Sequence, residues 1–287
     1  TTWLNKRGGI EADLTVTRVD EQAFRVTSGA MTRRKDIYWL KTQAHAQGYD
    51  VRLKDVTEDE AVIGVMGPQA GEILKALSAD AWDAFAFSTA QNVTVAELPA
   101  TATRLSFVGE LGWEIAVRTA DAVPLFNALR AHTKHILGTY ALDGCRIEKG
   151  FKHWGHDLGP DISPPEAGLE FVVNWDKPEF LGKEALLLLK ENGLTRRQIL
   201  LEVTGDPLLL HDEVVWENGR AIGLTTSGAC GPRTRKALCF ANVTITQGET
   251  RTDTMKRKFE VEVAGSRYIA NPLGQPPYDP KMKRLRK

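Results

Sequence analysis

The chain has 287 residues and a mass of 31.7 kDa, enough for two domains with real cores at roughly 150 residues per domain. Hydrophobic residues make up 42% and charged residues 26%, which excludes disordered, collagenous and coiled-coil compositions. Thirty-seven Lys plus Arg balance thirty-seven Asp plus Glu, so no global field favours nucleic acid or an anionic membrane, and any partner is recognised locally.

The chain opens on Thr1-Thr2-Trp3-Leu4, without an initiator Met or a signal-peptide pattern, and this start reads as not the natural one. Leu14, Val16 and Arg18-Val19 predict a strand, with Phe24 to Thr27 as its hairpin partner after the polar turn Asp20-Glu21-Gln22. Helical spacing follows from Asp36 through Ala46 and stops at Gly48. Val51 to Leu53 and Ala61 to Met66 read as strands, and Gly67-Pro68 opens a helix through Leu77. Thr101 to Phe107 and Glu114 to Val117 read as strands flanking a glycine-containing turn, before a helix from Ala122 to Thr133. Glycines and aromatics dominate from Ile147 to Asp161, a long connection of the kind that usually carries function. A helix from Glu184 to Lys190 ends at Asn192-Gly193. From Arg196 onward the texture becomes all-β: Gln198 to Val203, Glu213 to Trp216 with the hairpin turn Glu217-Asn218-Gly219-Arg220, Ala237 to Val243, and Phe259 to Val263. The closing Lys281 to Lys287, five basic residues in seven, reads as a solvated tail. The expected class is α+β with domains 1–195 and 196–287, the second a Greek-key or barrel-like β domain.

No apolar stretch approaches the ~20 residues of a membrane helix. Cys145, Cys230 and Cys239 are too few and too irregularly spaced for a disulfide framework or zinc site, and are expected as buried thiols in a reducing compartment, cytosol or mitochondrial matrix. GxGxxG, HExxH, GxSxG and the Walker phosphate loop are absent, so nucleotide, zinc-protease and α/β-hydrolase readings lack their anchors. His153 and His156 share a loop, but no Cys or Asp cluster accompanies them, and no metal is expected.

Two carboxylates stand out. In Ser106-Phe107-Val108-Gly109-Glu110-Leu111-Gly112-Trp113-Glu114 the two glycines permit a tight turn, and alternation sends Glu114 to the face opposite Trp113. A carboxylate there is suited to two parallel N–H bonds from a guanidine-like edge such as a pterin's, although an ordinary exposed strand residue is the commoner outcome. Asp36 follows Arg33-Arg34-Lys35 at a helix start. Capping is the commonest task of such a residue, and the preceding cations would keep it ionised as a base or cation stabiliser requires.

Taken together, Leu4-Asn5-Lys6-Arg7-Gly8-Gly9-Ile10-Glu11-Ala12-Asp13-Leu14-Thr15-Val16-Thr17-Arg18, the Phe107 to Glu114 run, Arg146 to Gly150, and His153-Trp154-Gly155-His156-Asp157-Leu158-Gly159-Pro160-Asp161 resemble the aminomethyltransferase family, the glycine cleavage T proteins and their relatives. The Lys149 to Asp161 stretch and the VGELGWE run are most similar to the tetrahydrofolate-binding half of dimethylglycine and sarcosine dehydrogenases or oxidases. The resemblance implies α+β folate-binding domains around a central cavity and a C-terminal β domain. It implies Asp36 as the catalytic carboxylate and Glu114 as the pterin holder, with Thr27, Phe107 and Phe171 as further folate contacts. Phe107 stands where close relatives have a tyrosine, and Leu142 where T proteins have an arginine, which argues against a simple T protein. The implied activity is tetrahydrofolate-dependent capture of the one-carbon unit from demethylation of dimethylglycine or sarcosine, with FAD in a partner domain or upstream segment. A free-standing aminomethyltransferase or demethylase and a non-catalytic folate-binding or regulatory module are the alternatives. The 287 residues are then expected to be a C-terminal piece whose first domain lacks its N-terminal strands.

Overall fold

A computed structural model describes residues 1–286, which fall into two compact units interleaved in sequence. One comprises Thr1–Leu14 and Gly138–Pro280, and the other Thr15–Leu137 with the residues after Pro280.

The chain begins with a short antiparallel pair, β1 (Thr2–Leu4) and β2 (Ile10–Asp13), in which Trp3 faces Ala12. It then enters the other unit through the hairpin β3 (Thr15–Arg18) and β4 (Phe24–Thr27), where the alternation predicted one. Helix α1 (Arg33–Ala46) follows, then β5 (Glu60–Met66), α2 (Ala70–Leu77), β6 (Ala90–Val95), β7 (Leu98–Thr103), β8 (Gly112–Arg118) and α3 (Ala122–His132). Strands β5 to β8 form an antiparallel sheet in the order β5-β8-β7-β6. One face supplies Val65, Ala102, Trp113, Ile115 and Val117 to a core shared with Leu74, Leu125 and Leu129 from the helices. Trp82, Phe85 and Trp113 fill it, Trp113 meeting Trp82 edge-on at 5.4 Å. Two expectations fail here. Val51 to Leu53 forms no strand, and the strand placed over Thr101 to Phe107 lies at β7, because residues 104–111 turn away from the ladder.

The first unit resumes with α4 (Thr139–Glu148) and α5 (Lys183–Asn192), then β9 (Arg196–Val203), β10 (Val214–Glu217), β11 (Arg220–Cys230), β12 (Ala237–Thr244), the short α6 (Arg251–Thr254), β13 (Phe259–Val263) and β14 (Ser266–Leu273). The six strands close into an antiparallel barrel, β10-β11-β12-β9-β14-β13. Strand β9 lies beside β12 and not β10, which gives the expected Greek-key connection. Period-two alternation sends Ile199, Leu201, Cys239, Ala241 and Val243 inward, while Leu200, Leu238 and Phe240 pack outside with Ile147 of α4. The β10–β11 turn holds Asn218 and Gly219 at φ 49° and 77°, the left-handed pair that a tight hairpin turn needs. Cys239 is buried, whereas Cys230 is exposed, which corrects the expectation of three buried thiols.

The connection from Ile147 to Asp161 is not a free loop. The Asp157 carboxylate accepts from Arg146 Nη1 at 2.6 Å, the His153 amide at 3.0 Å and the hydroxyls of Thr226 and Ser227. The loop also meets the N-terminal run, with Asn5 Nδ2 donating to the Pro160 carbonyl at 2.8 Å, Ile10 N to Ile162 O at 2.9 Å, and Trp154 Nε1 to Ile10 O at 2.9 Å. A Cβ on Gly9 would lie 1.9 Å from the Pro160 carbonyl oxygen, so only glycine permits this approach. Two of the motifs quoted for the resemblance are therefore the two halves of one structural contact.

Candidate functional site

Glu114 stands on the face of the β5–β8 sheet opposite Trp113, as alternation predicted. Directly across it lie Gly64 of β5 and Thr103 of β7. The same face carries Val62, 53% exposed, and Ala116, so the carboxylate rises from a floor of small side chains. Glycine inside a strand commonly marks a place where something approaches the backbone closely, and Gly64 has that position beside Glu114. Among the described residues no side chain or backbone group hydrogen-bonds or ion-pairs with the Glu114 carboxylate. Partial burial without a compensating donor raises its pKa above the usual glutamate value. Such a group is positioned to accept donors from a ligand.

Phe107 lies in the turn before β8, where Gly109 adopts φ 75°, a value that favours glycine. Thr27 ends β4. Asp36 sits in the first turn of α1 but is not its cap, because Thr32 holds that position and the helix starts at Arg33. The capping alternative for Asp36 is thereby removed. The residue is 3% exposed. Oδ2 accepts from the Thr32 hydroxyl, whereas Oδ1 lies 3.0 Å from Lys35 Nζ but receives no aligned hydrogen bond among the described residues. Asp36 thus retains one buried acceptor.

Strand β5 links these pieces. Arg33 binds Asp55 and Glu58 on the approach to β5, and Arg25 of the hairpin binds Glu60, its first residue. Gly64, opposite Glu114, is four residues further along, about 13 Å by strand rise. No hydrogen bond or ion pair joins Asp36 to Glu114. Phe171 belongs to the other unit, 82% exposed on a turn at Glu170–Val172. Sequence reasoning missed Gly64 and Thr103, whose only signal was a glycine interrupting the apolar run Ala61 to Met66. Among the described residues no group of three or more His, Cys, Asp or Glu is placed to hold a metal, and no helix is long and apolar enough to cross a membrane.

Residues 1–177 match the model of the GCVT N-terminal domain and residues 196–279 that of the glycine cleavage T-protein C-terminal barrel domain. The chain is 35% identical to the mitochondrial dimethylglycine dehydrogenase of Homo sapiens over 99% of its own length and 33% of the relative's. It is 38% identical to the 4-methylaminobutanoate oxidase (formaldehyde-forming) of Paenarthrobacter nicotinovorans over its full length and 35% of that protein. It is 33% identical to the aminomethyltransferase of Exiguobacterium sibiricum, with 94% and 73% covered. The chain thus spans about a third of the length of the dehydrogenase and oxidase relatives. Its fold superimposes on the glycine cleavage system aminomethyltransferase T of Bartonella henselae with a TM-score of 0.83, at 24% identity, over 97% of this chain and 75% of that one.

Proposed function

The chain belongs to the aminomethyltransferase family, the folate-binding T proteins of glycine cleavage and their relatives, and from that premise we propose that it passes the one-carbon unit released in demethylation of dimethylglycine or sarcosine to tetrahydrofolate. The observation that carries the reading is the Glu114 carboxylate, partly buried yet without a partner on its floor of small residues. A pterin edge offers two parallel N–H donors to it, each charge-assisted bond contributing about 1.5–3 kcal/mol. Phe107 supplies a ring and Thr27 a hydroxyl for the same ligand.

Asp36 is the proposed catalytic residue. Its Oδ1 is the acceptor toward which the reacting folate amine presents its proton, which orients the nitrogen lone pair at the one-carbon unit. Thr32 holds Oδ2 and fixes the carboxylate plane. One formaldehyde and one tetrahydrofolate give one methylenetetrahydrofolate and one water, so this step needs no oxidant. The preceding oxidation of the amine falls to a flavin-containing partner domain, for which the longer dehydrogenase relatives provide the parallel. Titration of the purified chain with tetrahydrofolate under argon tests the reading, followed by a formaldehyde-trapping assay beside a dimethylglycine-oxidising flavoenzyme. Binding and a fall in free formaldehyde are expected; absence of folate binding overturns it.

A further inference from the structure

The 147–161 connection holds an amine that the folate reading does not use. Lys152 keeps part of its surface open, and its Nζ donates to Gln198 Oε1 at 2.6 Å and lies 4.0 Å from the centre of the Phe240 ring. No carboxylate pairs with it among the described residues. The nearest candidate, Asp157, is already engaged by Arg146, the His153 amide, Thr226 and Ser227. Lys149, three residues earlier and fully buried, shows the ordinary arrangement, with its Nζ 2.7 Å from the Asp279 carboxylate. The Gln198 amide cannot turn to meet Lys152 differently, because its Nε2 donates to the Asp157 carbonyl at 2.7 Å and to Asn242 Oδ1 at 3.1 Å. Lys152 is thus an amine confined against a neutral carbonyl and an aromatic face.

We propose that Lys152 is a nucleophilic site that condenses reversibly with small aldehydes, formaldehyde foremost. In its uncharged form Nζ has two N–H groups and one lone pair. One N–H remains on Gln198 Oε1, and the lone pair is free for a small electrophile. Attack forms a C–N bond while the carbonyl π pair moves to oxygen, which takes up a proton from nitrogen. Loss of that oxygen as water, together with the remaining N–H proton, leaves an imine whose nitrogen no longer donates to Gln198 Oε1, with no change in oxidation state. Burial lowers the Lys152 pKa to about 7, with Arg146 and Arg251 acting in the same direction and Asp157 against. This places the neutral amine within physiological range, as desolvated nucleophilic lysines require.

The test uses the full chain and formaldehyde without folate, so its outcome is independent of the reading above. Limiting ¹³C-formaldehyde with cyanoborohydride traps each imine as N-methyllysine, and peptide mass spectrometry ranks the lysines, with Lys152→Arg identifying the peptide. At pH 7 about half of the Lys152 amines are neutral, against about one in 3,000 of ordinary lysines. A Brønsted slope of about 0.5 for the weaker base reduces the expected labelling advantage to roughly 10- to 50-fold. The Lys152 rate should level off above about pH 7.5 while the others climb tenfold per pH unit toward pH 10. Gln198→Glu places a carboxylate against Nζ and should abolish the advantage at pH 7. Labelling of Lys152 no faster than that of exposed lysines, a rate that keeps climbing through pH 9, or an unchanged profile in a folded Gln198→Glu variant overturns the assignment. If that variant does not fold, the wild-type pH profile decides.

Discussion

Replacing Glu114 with glutamine separates ligand binding from folding. The side chain keeps its shape and loses its charge. Of the two parallel bonds proposed to a pterin edge, one then meets an amide N–H instead of an oxygen. The loss of one charge-assisted bond is about 1.5–3 kcal/mol, or roughly 10- to 150-fold in Kd. The protein itself loses no contact, since no described residue donates to this carboxylate. Its stability should therefore rise, and the direction depends on pH. Burial raises the Glu114 pKa, so the folded state favours the neutral acid more than the unfolded chain does. Below the unfolded value of 4.5 both states are protonated and nothing is lost. As pH rises through that value the folded state incurs a penalty, which becomes constant above the folded pKa. Glutamine never incurs it. Calorimetric Tm values of wild type and Glu114→Gln should converge near pH 4 and separate in favour of the variant at pH 8, while titration calorimetry with tetrahydrofolate shows the weaker Kd. A Kd within twofold of wild type, or a variant less stable at pH 8, refutes the reasoning.

Asp36→Ala should lower the rate of folate-coupled one-carbon capture by about 10²–10⁴-fold with little change in circular dichroism; unchanged turnover removes Asp36 from the chemistry. Asp157→Ala leaves Arg146, whose side chain is 1% exposed, with Asp143 as its one carboxylate partner among the described residues, at a cost of about 3–5 kcal/mol, visible as a Tm drop of the order of 10 °C. Gly9→Ala drives a methyl into the Pro160 carbonyl and should cost at least ~1–3 kcal/mol in denaturant titration. With a thiol-specific chromogen, Cys230 should react at once in the native protein, whereas Cys239, whose pKa burial raises, should stay silent until denaturant is added.

The alternation that put Trp113 and Glu114 on opposite faces was legible because it is local, as were the Asn218-Gly219 turn and the all-β texture after Arg196. What makes Glu114 distinctive was not legible. Its neighbours Gly64 and Thr103 reach it through cross-strand register, and register is set by pairings that no window of one strand contains. The Ile147 to Asp161 connection read as functional because it has little periodicity, yet its order comes from side chains on β11 and from residues 5 to 10. Asp36 was ambiguous for a different reason. A carboxylate after Arg33-Arg34-Lys35 at a helix start reads as a cap from spacing alone, and the Arg33 contacts to Asp55 and Glu58 accompany the observed start one turn earlier. Lys152 gave no signal in sequence, since a lysine five residues from an aspartate looks paired until that aspartate is found bound to four other donors.

The interleaving of the units also sets an order of events during synthesis. Residues 1–14 pack with partners that begin at Gly138, so roughly 124 residues must be translated before the first partner exists. At about 5–20 residues per second this is a wait of roughly 6–25 s. Throughout it Leu4 and Ile10 lack Leu158, Ile162 and Leu186, with which they are later buried. The Gly9 to Pro160 approach closes one of the longest loops in the molecule, and long-range closures of this kind slow folding. The run from Leu4 to Ile10 is therefore a segment that a ribosome-associated chaperone would have reason to hold.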